Sequence, residues 1–396
     1  MFALYACTGT APHKPEGEKP AMVVEQPVTG GAAAEMFGVT PPPAVVTGEI
    51  APQVLPIGES VPHIALLLPL HSTSFGSAAD AVQQGFMAAA LYKKQALPVR
   101  VYSDFDENSN VVAVYRQAIA NGARAVVGPL TRSGVAALAA EKNIPVPTLA
   151  LNIVEGQPAP NLYFFGMSVE AEARQAAQLA KRQGLHQAII VTIHTQLSQR
   201  LQSAFEEEWS GEAKDMDRGI LREIEFSNDP AVFADIADIT DTMVFLATDA
   251  QKARLIRPYL PNKLPIYASS QIFGGNEKTL TNYDLNGAHF VDMPWLLQPD
   301  HPAVMIYPRA NPPLGADRER LYALGIDSFR LIQLLLADNV AKALPMDGVS
   351  GRIQLKGQVF QREALPARFI EGQARISDAL AAPAAQMFPD QPVNPP

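Results

Sequence analysis

Residues 125–152 read AVVGPLTRSGVAALAAEKNIPVPTLALN, a stretch that holds one complete strand–loop–helix–strand unit. Ala125, Val126 and Val127 form a short apolar run ending at Gly128-Pro129, where glycine permits a tight turn and proline cannot continue a sheet ladder. The run therefore reads as a buried strand. Thr131 and Ser133 carry the hydroxyls that cap helices, and Val135, Ala136, Leu138 and Ala139 fall on roughly one face before Asn143 and Pro145 stop the helix. A second apolar run occupies residues 146–151. Two strands joined by a helical crossover form a parallel βαβ unit, and in open parallel sheets ligands gather outside the carboxyl ends of the strands. The loop 129–133 and Asn152 are thus expected to line any gap in this fold.

The same grammar extends in both directions. Upstream, HIALLLPL (63–70) is apolar almost throughout, as a central parallel strand buried on both faces requires. A helix over 77–94 follows, with Val82, Phe86, Ala89 and Ala90 on one face, then a strand over 99–103 and a helix over 108–121. Downstream, a second run begins near Ser168. Its helix spans 169–183 and ends at Gly184. Strands follow at 188–193, 221–226, 243–247 and 266–269, with helices near 197–209, 231–237 and 250–260. Two such runs in series predict an α/β protein of two doubly wound parallel-sheet lobes, because one sheet of ten or more strands is uncommon.

A strand at 288–291 then leads into DMPWLL (292–297). The segment LYALGIDSFRLIQLLLA (321–337) is apolar on nearly every side, which marks a helix buried all round. Asp327 inside it would be costly unpaired, so a backbone amide or an arginine is expected against it. Residues 352–355 and 358–361 alternate around Lys356-Gly357 as a β-hairpin does.

The bulk numbers set wide bounds. With 396 residues and 47% hydrophobic content, the chain is long enough for two compact bodies. A formal charge of −9, a pI near 5.3 and the lack of any Lys/Arg cluster argue against nucleic acid as a partner. No apolar run approaches the roughly 20 residues of a membrane-spanning helix. Ten of the 34 prolines precede His63 and five follow Ala382, so residues 8–60 read as a disordered tether and 379–396 as a disordered tail. A tether of that length spans about 40 Å as a flexible coil and about 170 Å fully stretched.

The single cysteine, Cys7, sits in LYAC (4–7), which is similar to a bacterial lipobox, where the cysteine is acylated. Residues 1–6 supply neither the basic start nor the apolar run of a signal peptide, so the natural start is expected further upstream.

Enzyme signatures do not occur: no GxSxG elbow, HExxH, CxxC pair or GxxxxGK[ST] phosphate loop. The seven histidines are scattered, with His186 and His194 at opposite ends of one expected strand, so neither a metal nor another cofactor is expected. Arg254 and Arg257 lie three apart on one helix before Pro258, where they form a solvated face or meet a partner.

The blocks HIALLLPL, AVVGPL, TLALN, LIRPYL, IYASSQIF, VDMPWLL and YALGIDSF occur in order between residues 62 and 372. Together they make the chain resemble the LppC/LpoA family of outer-membrane lipoproteins, activators of penicillin-binding proteins. The resemblance implies a type I periplasmic-binding-protein-like fold whose chain passes three times between lobes. Residues 61–166 plus 292–345 would form the first lobe, and 167–291 plus 346–378, including the late hairpin, the second. It also implies lipidation at Cys7, anchoring at the periplasmic face of the outer membrane, and direct contact with a class A penicillin-binding protein in peptidoglycan synthesis. Peptidoglycan itself is a further expected contact, and no catalysis is implied. The best-known members carry a helical-repeat domain ahead of this part; here the proline-rich stretch stands in that place.

In type I binding proteins the solute's charged group is held beyond the strand ends. Ser72, Thr131, Ser133 and Asn152 fall there, with Gln271 and Asp292 approaching from the other side. Helix capping alone also explains Thr131 and Ser133. Trp295 reads either as an aromatic of the gap or of an interface, or as core. Two functions then compete: an activator that works by contact, and a solute-binding receptor for an amino acid or a cell-wall fragment. A gap plugged by the protein's own side chains favours the activator.

Overall fold

The computed structural model describes residues 60–93, 97–103, 110–211, 219–236 and 239–377. Cys7, the expected tether up to residue 59 and the expected tail 379–396 lie outside the described residues. The chain opens with β1 (His63–Leu67), α1 (Gly76–Tyr92), β2 (Val99–Tyr102), α2 (Val111–Ala120), β3 (Ala123–Val127), α3 (Arg132–Ala139), β4 (Thr148–Ala150) and β5 (Leu162–Phe165). It continues through α4 (Val169–Arg182), β6 (Gln187–Thr192), α5 (Gln196–Ser210), β7 (Gly219–Glu225), β8 (Thr242–Ala247), α6 (Ala250–Ile256), β9 (Ile266–Ala268), α7 (Thr279–Asn282) and β10 (His289–Asp292). Then come α8 (Pro294–Leu297), α9 (Pro302–Met305), α10 (Ala316–Leu336), α11 (Val340–Ala343), β11 (Met346–Asp347), β12 (Arg352–Lys356) and β13 (Val359–Glu363). Strands β14 (Leu365–Ile370) and β15 (Gln373–Ile376) close the described chain.

These strands form two sheets, ordered β11-β12-β13-β5-β4-β3-β1-β2 and β15-β14-β10-β9-β8-β6-β7. The run from β13 to β2 is parallel, and so is that from β10 to β7; β11 and β12 join the first sheet antiparallel, as β14 and β15 join the second. The apolar runs serve both sides of each sheet. In β1, Ile64 and Leu66 enter one core while Ala65 and Leu67 enter another. In β6, Ile189 and Val191 divide from Ala188 and Ile190 in the same way. Covering both faces with helices is what lets parallel strands be apolar without interruption.

In the unit spanning residues 125–152, Gly128 has φ +104°, and a Cβ there would meet the Leu67 carbonyl oxygen at 2.1 Å. Only glycine lets the strand end turn so tightly over its neighbour. Helices α1 and α10 touch backbone to backbone: a Cβ on Gly85 would fall 1.9 Å from the Tyr322 oxygen, and one on Gly325 2.2 Å from the Val82 oxygen.

The structure corrects two local expectations and adds one strand. The hairpin β12–β13 belongs to the first sheet, not to the second lobe, because β13 lies parallel to β5 and Phe360 and Ile353 enter the first lobe's core. Strand β5 itself, LYFF flanked by prolines and a glycine, was too short to read as a strand. Of the helix expected over 231–237, the described residues up to 236 form only the end of a 3-10 turn, Pro230–Phe233, which buries Phe233.

Candidate functional site

The chain crosses between the sheets after β5, after β10 and after β13. Each crossing leaves from the carboxyl end of a parallel strand, so those ends border the gap between the lobes. What fills the gap is charge. Arg320, in the second turn of α10, reaches out of the first lobe to Asp292 at the end of β10, with Nη2 2.6 Å from Oδ2 and Nε 3.1 Å from Oδ1. The same guanidinium donates to the carbonyls of Ser270 at 3.1 Å and Phe273 at 2.8 Å, and to Asp317 at 2.8 Å. Asp292 is 1% exposed and Arg320 4%.

A second bridge lies beside the first. Arg362 of β13 donates to Glu172 of α4 at 2.6 Å, and the other oxygen of Glu172 accepts from the Ser270 amide at 3.1 Å and its hydroxyl at 2.6 Å. Gln175, one turn further along α4, exchanges two hydrogen bonds with Ala364 at the third crossing, at 2.7 and 3.1 Å. Burial pushes the Asp292 carboxyl up, while the guanidinium against it and the Met293 amide pull it back; Asp292 in turn raises Arg320. A charge taken out of water is tolerable when each of its polar atoms meets a partner, as every carboxylate oxygen and guanidinium nitrogen of Asp292 and Arg320 does.

The residues singled out from sequence do not converge. Ser72 accepts from the amides of Ser74 and Phe75 at 3.2 and 3.0 Å, holding the loop before α1. Thr131 caps α3, accepting from the Gly134 amide at 3.2 Å, and Ser133 donates to Thr131 at 3.5 Å. Asn152 donates to the Leu130 carbonyl at 3.2 Å and lines a cavity of about 200 Å³ with Arg132, Glu170, Arg174 and Arg200. Gln271 lines a different cavity, of about 500 Å³, with Asp249, Lys278 and Arg318. Asp292 is sealed by Arg320.

Trp295 is not a gap aromatic: it is fully buried in the first lobe's core, its indole N–H donates to Glu319, and the Arg309 guanidinium lies 3.7 Å above its ring. The ring is held there because Tyr322 of α10 stacks against it at 5.3 Å.

Sequence reasoning missed Arg320, Glu172 and Arg362. The one available hint is the charged start of α10, ADRER over 316–320, whose last residue, Arg320, borders the apolar run. Among the described residues, no group of three or more His, Cys, Asp and Glu side chains could hold a metal ion, and no helix is long and apolar enough to cross a membrane.

Two parallel-sheet lobes facing each other across a gap, threaded by three crossings, define a type I periplasmic-binding-protein-like fold. The chain belongs to the LppC lipoprotein family, whose family model matches residues 57–240 and 235–372. It is 26% identical over 337 residues to the penicillin-binding protein activator LpoA of Photobacterium profundum, an alignment covering 76% of this chain and 54% of that one. Among solved structures it is similar to the C-domain of LpoA from Haemophilus influenzae, named as a regulator of PBP1A. That match has a TM-score of 0.65 and 26% identity, and covers 80% of this chain and 99% of the other. A Chromobacterium violaceum protein named for a branched-chain amino acid ABC transporter matches at 37% identity and TM-score 0.66, over 78% of this chain and all of that one. The chain spans a little over half the length of the curated relatives it matches.

Proposed function

We propose that this protein is a lipid-anchored component of the bacterial envelope that raises the activity of a class A penicillin-binding protein by direct contact, without catalysing a reaction itself. Cys7 would carry the lipid and hold the chain at the periplasmic face of the outer membrane. The observation that carries the reading is the gap closed by Asp292–Arg320 and Glu172–Arg362, which leaves the centre of a solute-binding fold occupied by its own side chains. The names of the family relatives, activators of penicillin-binding proteins, support the same reading. The test is a binding and glycan-polymerisation assay with purified class A synthases of the same organism. Binding and stimulation of at least one is expected; failure of both with all of them overturns the proposal. Anchoring is tested separately: with a complete leader, Cys7→Ala is expected to move the protein from the membrane to the soluble fraction, and unchanged sedimentation refutes acylation there.

A solute-binding role is the second reading, favoured by the cavity of about 200 Å³ that Arg132 and Asn152 share with Arg174 and Arg200. A ligand held there stabilises the native state by mass action. Thermal-shift screening against amino acids and cell-wall peptides separates the two readings. No rise in Tm is expected for the activator, and a saturable rise brings the receptor forward.

A further inference from the structure

We propose that the two lobes are locked at one angle by a closed circuit of side chains that crosses the gap twice, so that the hinge motion open to a two-lobed body is removed. Two bodies joined by strand crossings bend most easily at those crossings, and solute-binding proteins use that bend to close on a ligand. What stops it here is the way the buried pairs are wired. Both guanidinium groups belong to the first lobe, Arg320 on α10 and Arg362 on β13, and every acceptor that they find across the gap belongs to the second. Arg320 donates to the Ser270 carbonyl at 3.1 Å. The Ser270 amide and hydroxyl donate to Glu172, whose other oxygen accepts from Arg362 Nη2 at 2.6 Å. Arg362 then turns back into its own lobe, where Nη1 donates to the Ser350 carbonyl at 3.2 Å. The Ser350 amide and hydroxyl donate to Asp327 Oδ2 at 2.8 and 2.6 Å. Asp327 lies on α10 about two turns beyond Arg320, so the circuit closes on the helix from which it left.

A single tie lets two bodies swivel about it, whereas two ties rooted in different elements, α10 and β13, hold both the bend and the twist. Burial makes the circuit hard to open. The side chains of Asp292, Arg320, Glu172 and Arg362 are 1%, 4%, 6% and 5% exposed, and Asp327 and Ser350 are fully buried. Charge-assisted hydrogen bonds out of water are the strong ones, and a connected set reinforces its members, so the ties yield together or not at all. The third crossing is pinned from the same helix as Glu172, through the two hydrogen bonds between Gln175 and Ala364. The lock stands independently of the function proposed above. It excludes the closing motion of a receptor, and it leaves both lobes to be met as one rigid face.

The experiment measures the distance between the lobes by pulsed electron spin resonance on the full chain carrying Cys7→Ala, with nitroxides attached at Leu91→Cys and Leu280→Cys. Leu91, in α1 of the first lobe, and Leu280, in α7 of the second, are 53% and 87% exposed, so neither label disturbs a core. With the circuit intact, one narrow distribution is expected, and the amino acids and cell-wall peptides of the thermal-shift screen should leave it unmoved. Two populations, or a distance that shifts with any of these solutes, overturn the lock. The ties are then cut on both sides, so that no charge is left buried alone: Arg320→Met with Asp292→Leu, and Arg362→Met with Glu172→Gln. Each double variant, and the two combined, should keep a cooperative urea transition while the distribution widens or gains a second distance. A folded variant that keeps the narrow distribution shows that the crossings alone set the angle, and overturns the proposal too. Should the combined variant fail to fold, each double variant carries the same expectation and the same refutation.

Discussion

His289 shows how one buried side chain ties stability to acidity. Its ring stacks on Tyr267 at 5.0 Å, and burial, helped by the Arg368 charge, lowers its pKa from the ordinary 6.5 to about 4. Between those values the unfolded chain binds a proton that the native ring refuses, so stability rises with pH through that window and falls as acid is added. The shift corresponds to about 2 kcal/mol after allowing for the ring's partial exposure. Urea denaturation at pH 7 and pH 4.5 should show the unmodified protein losing about that much more than His289→Phe; equal losses would exclude the effect. At this scale the sequence was legible where a residue conflicts with its own surroundings. Asp327, a lone carboxylate in an apolar helix, was expected to find an amide or an arginine. It accepts from the Ser350 amide at 2.8 Å, the Val349 amide at 3.2 Å and Arg330 at 2.9 Å. Arg320 escaped because a charged residue near a helix start is unremarkable until its partner, 28 residues back, is brought beside it.

Among the elements, the crossing of α1 and α10 is set by what is missing from two positions. Gly85 and Gly325 let the helices approach until each backbone fills the space a methyl would need. Gly325→Ala must push the helices apart, disturbing Phe86 and Phe329, whose rings meet edge to face at 5.3 Å. The expected cost is about 1–3 kcal/mol, read as a lowered urea midpoint with the slope unchanged. A neutral result would mean that the helices separate freely. Long periodic elements such as α1, α4, α5 and α10 were readable because their burial follows from their own pattern. The hairpin β12–β13 was readable as a hairpin, but not as a member of the first sheet. Alternation fixes which face is buried, whereas the choice of neighbouring strand depends on β5, a four-residue run with too little pattern to be seen.

The molecule as a whole is joined through the gap. Arg320→Met would leave Asp292 buried without a counter-charge and is expected to cost about 3–5 kcal/mol, whereas Arg320→Met combined with Asp292→Leu should cost markedly less than the sum of the single changes. Chemical denaturation of the two single variants and the double variant measures the coupling, and strict additivity would show that the pair does not act as a unit. The two-lobed plan was legible in the sequence from the repetition of one β/α grammar, but the plug was not. Loop 129–133 and Asn152 sit where parallel topology puts them, yet Thr131 is engaged in capping, Ser133 donates to it, and only Arg132 and Asn152 open on a cavity. Asp292 at the end of β10 was legible as a residue of the gap, but its partner and the second pair come from α4, α10 and β13, whose contributions are invisible until the chain is folded.

The three crossings have one more consequence. Neither half is a continuous piece of the gene: the first needs 63–165 and 294–363, the second needs 169–292 and 365–376. No single cut, whether by a protease or by recombination, can release a complete lobe or exchange one for a foreign version. The body is therefore inherited as one piece, and divergence proceeds by substitution within it, not by a single exchange of one lobe.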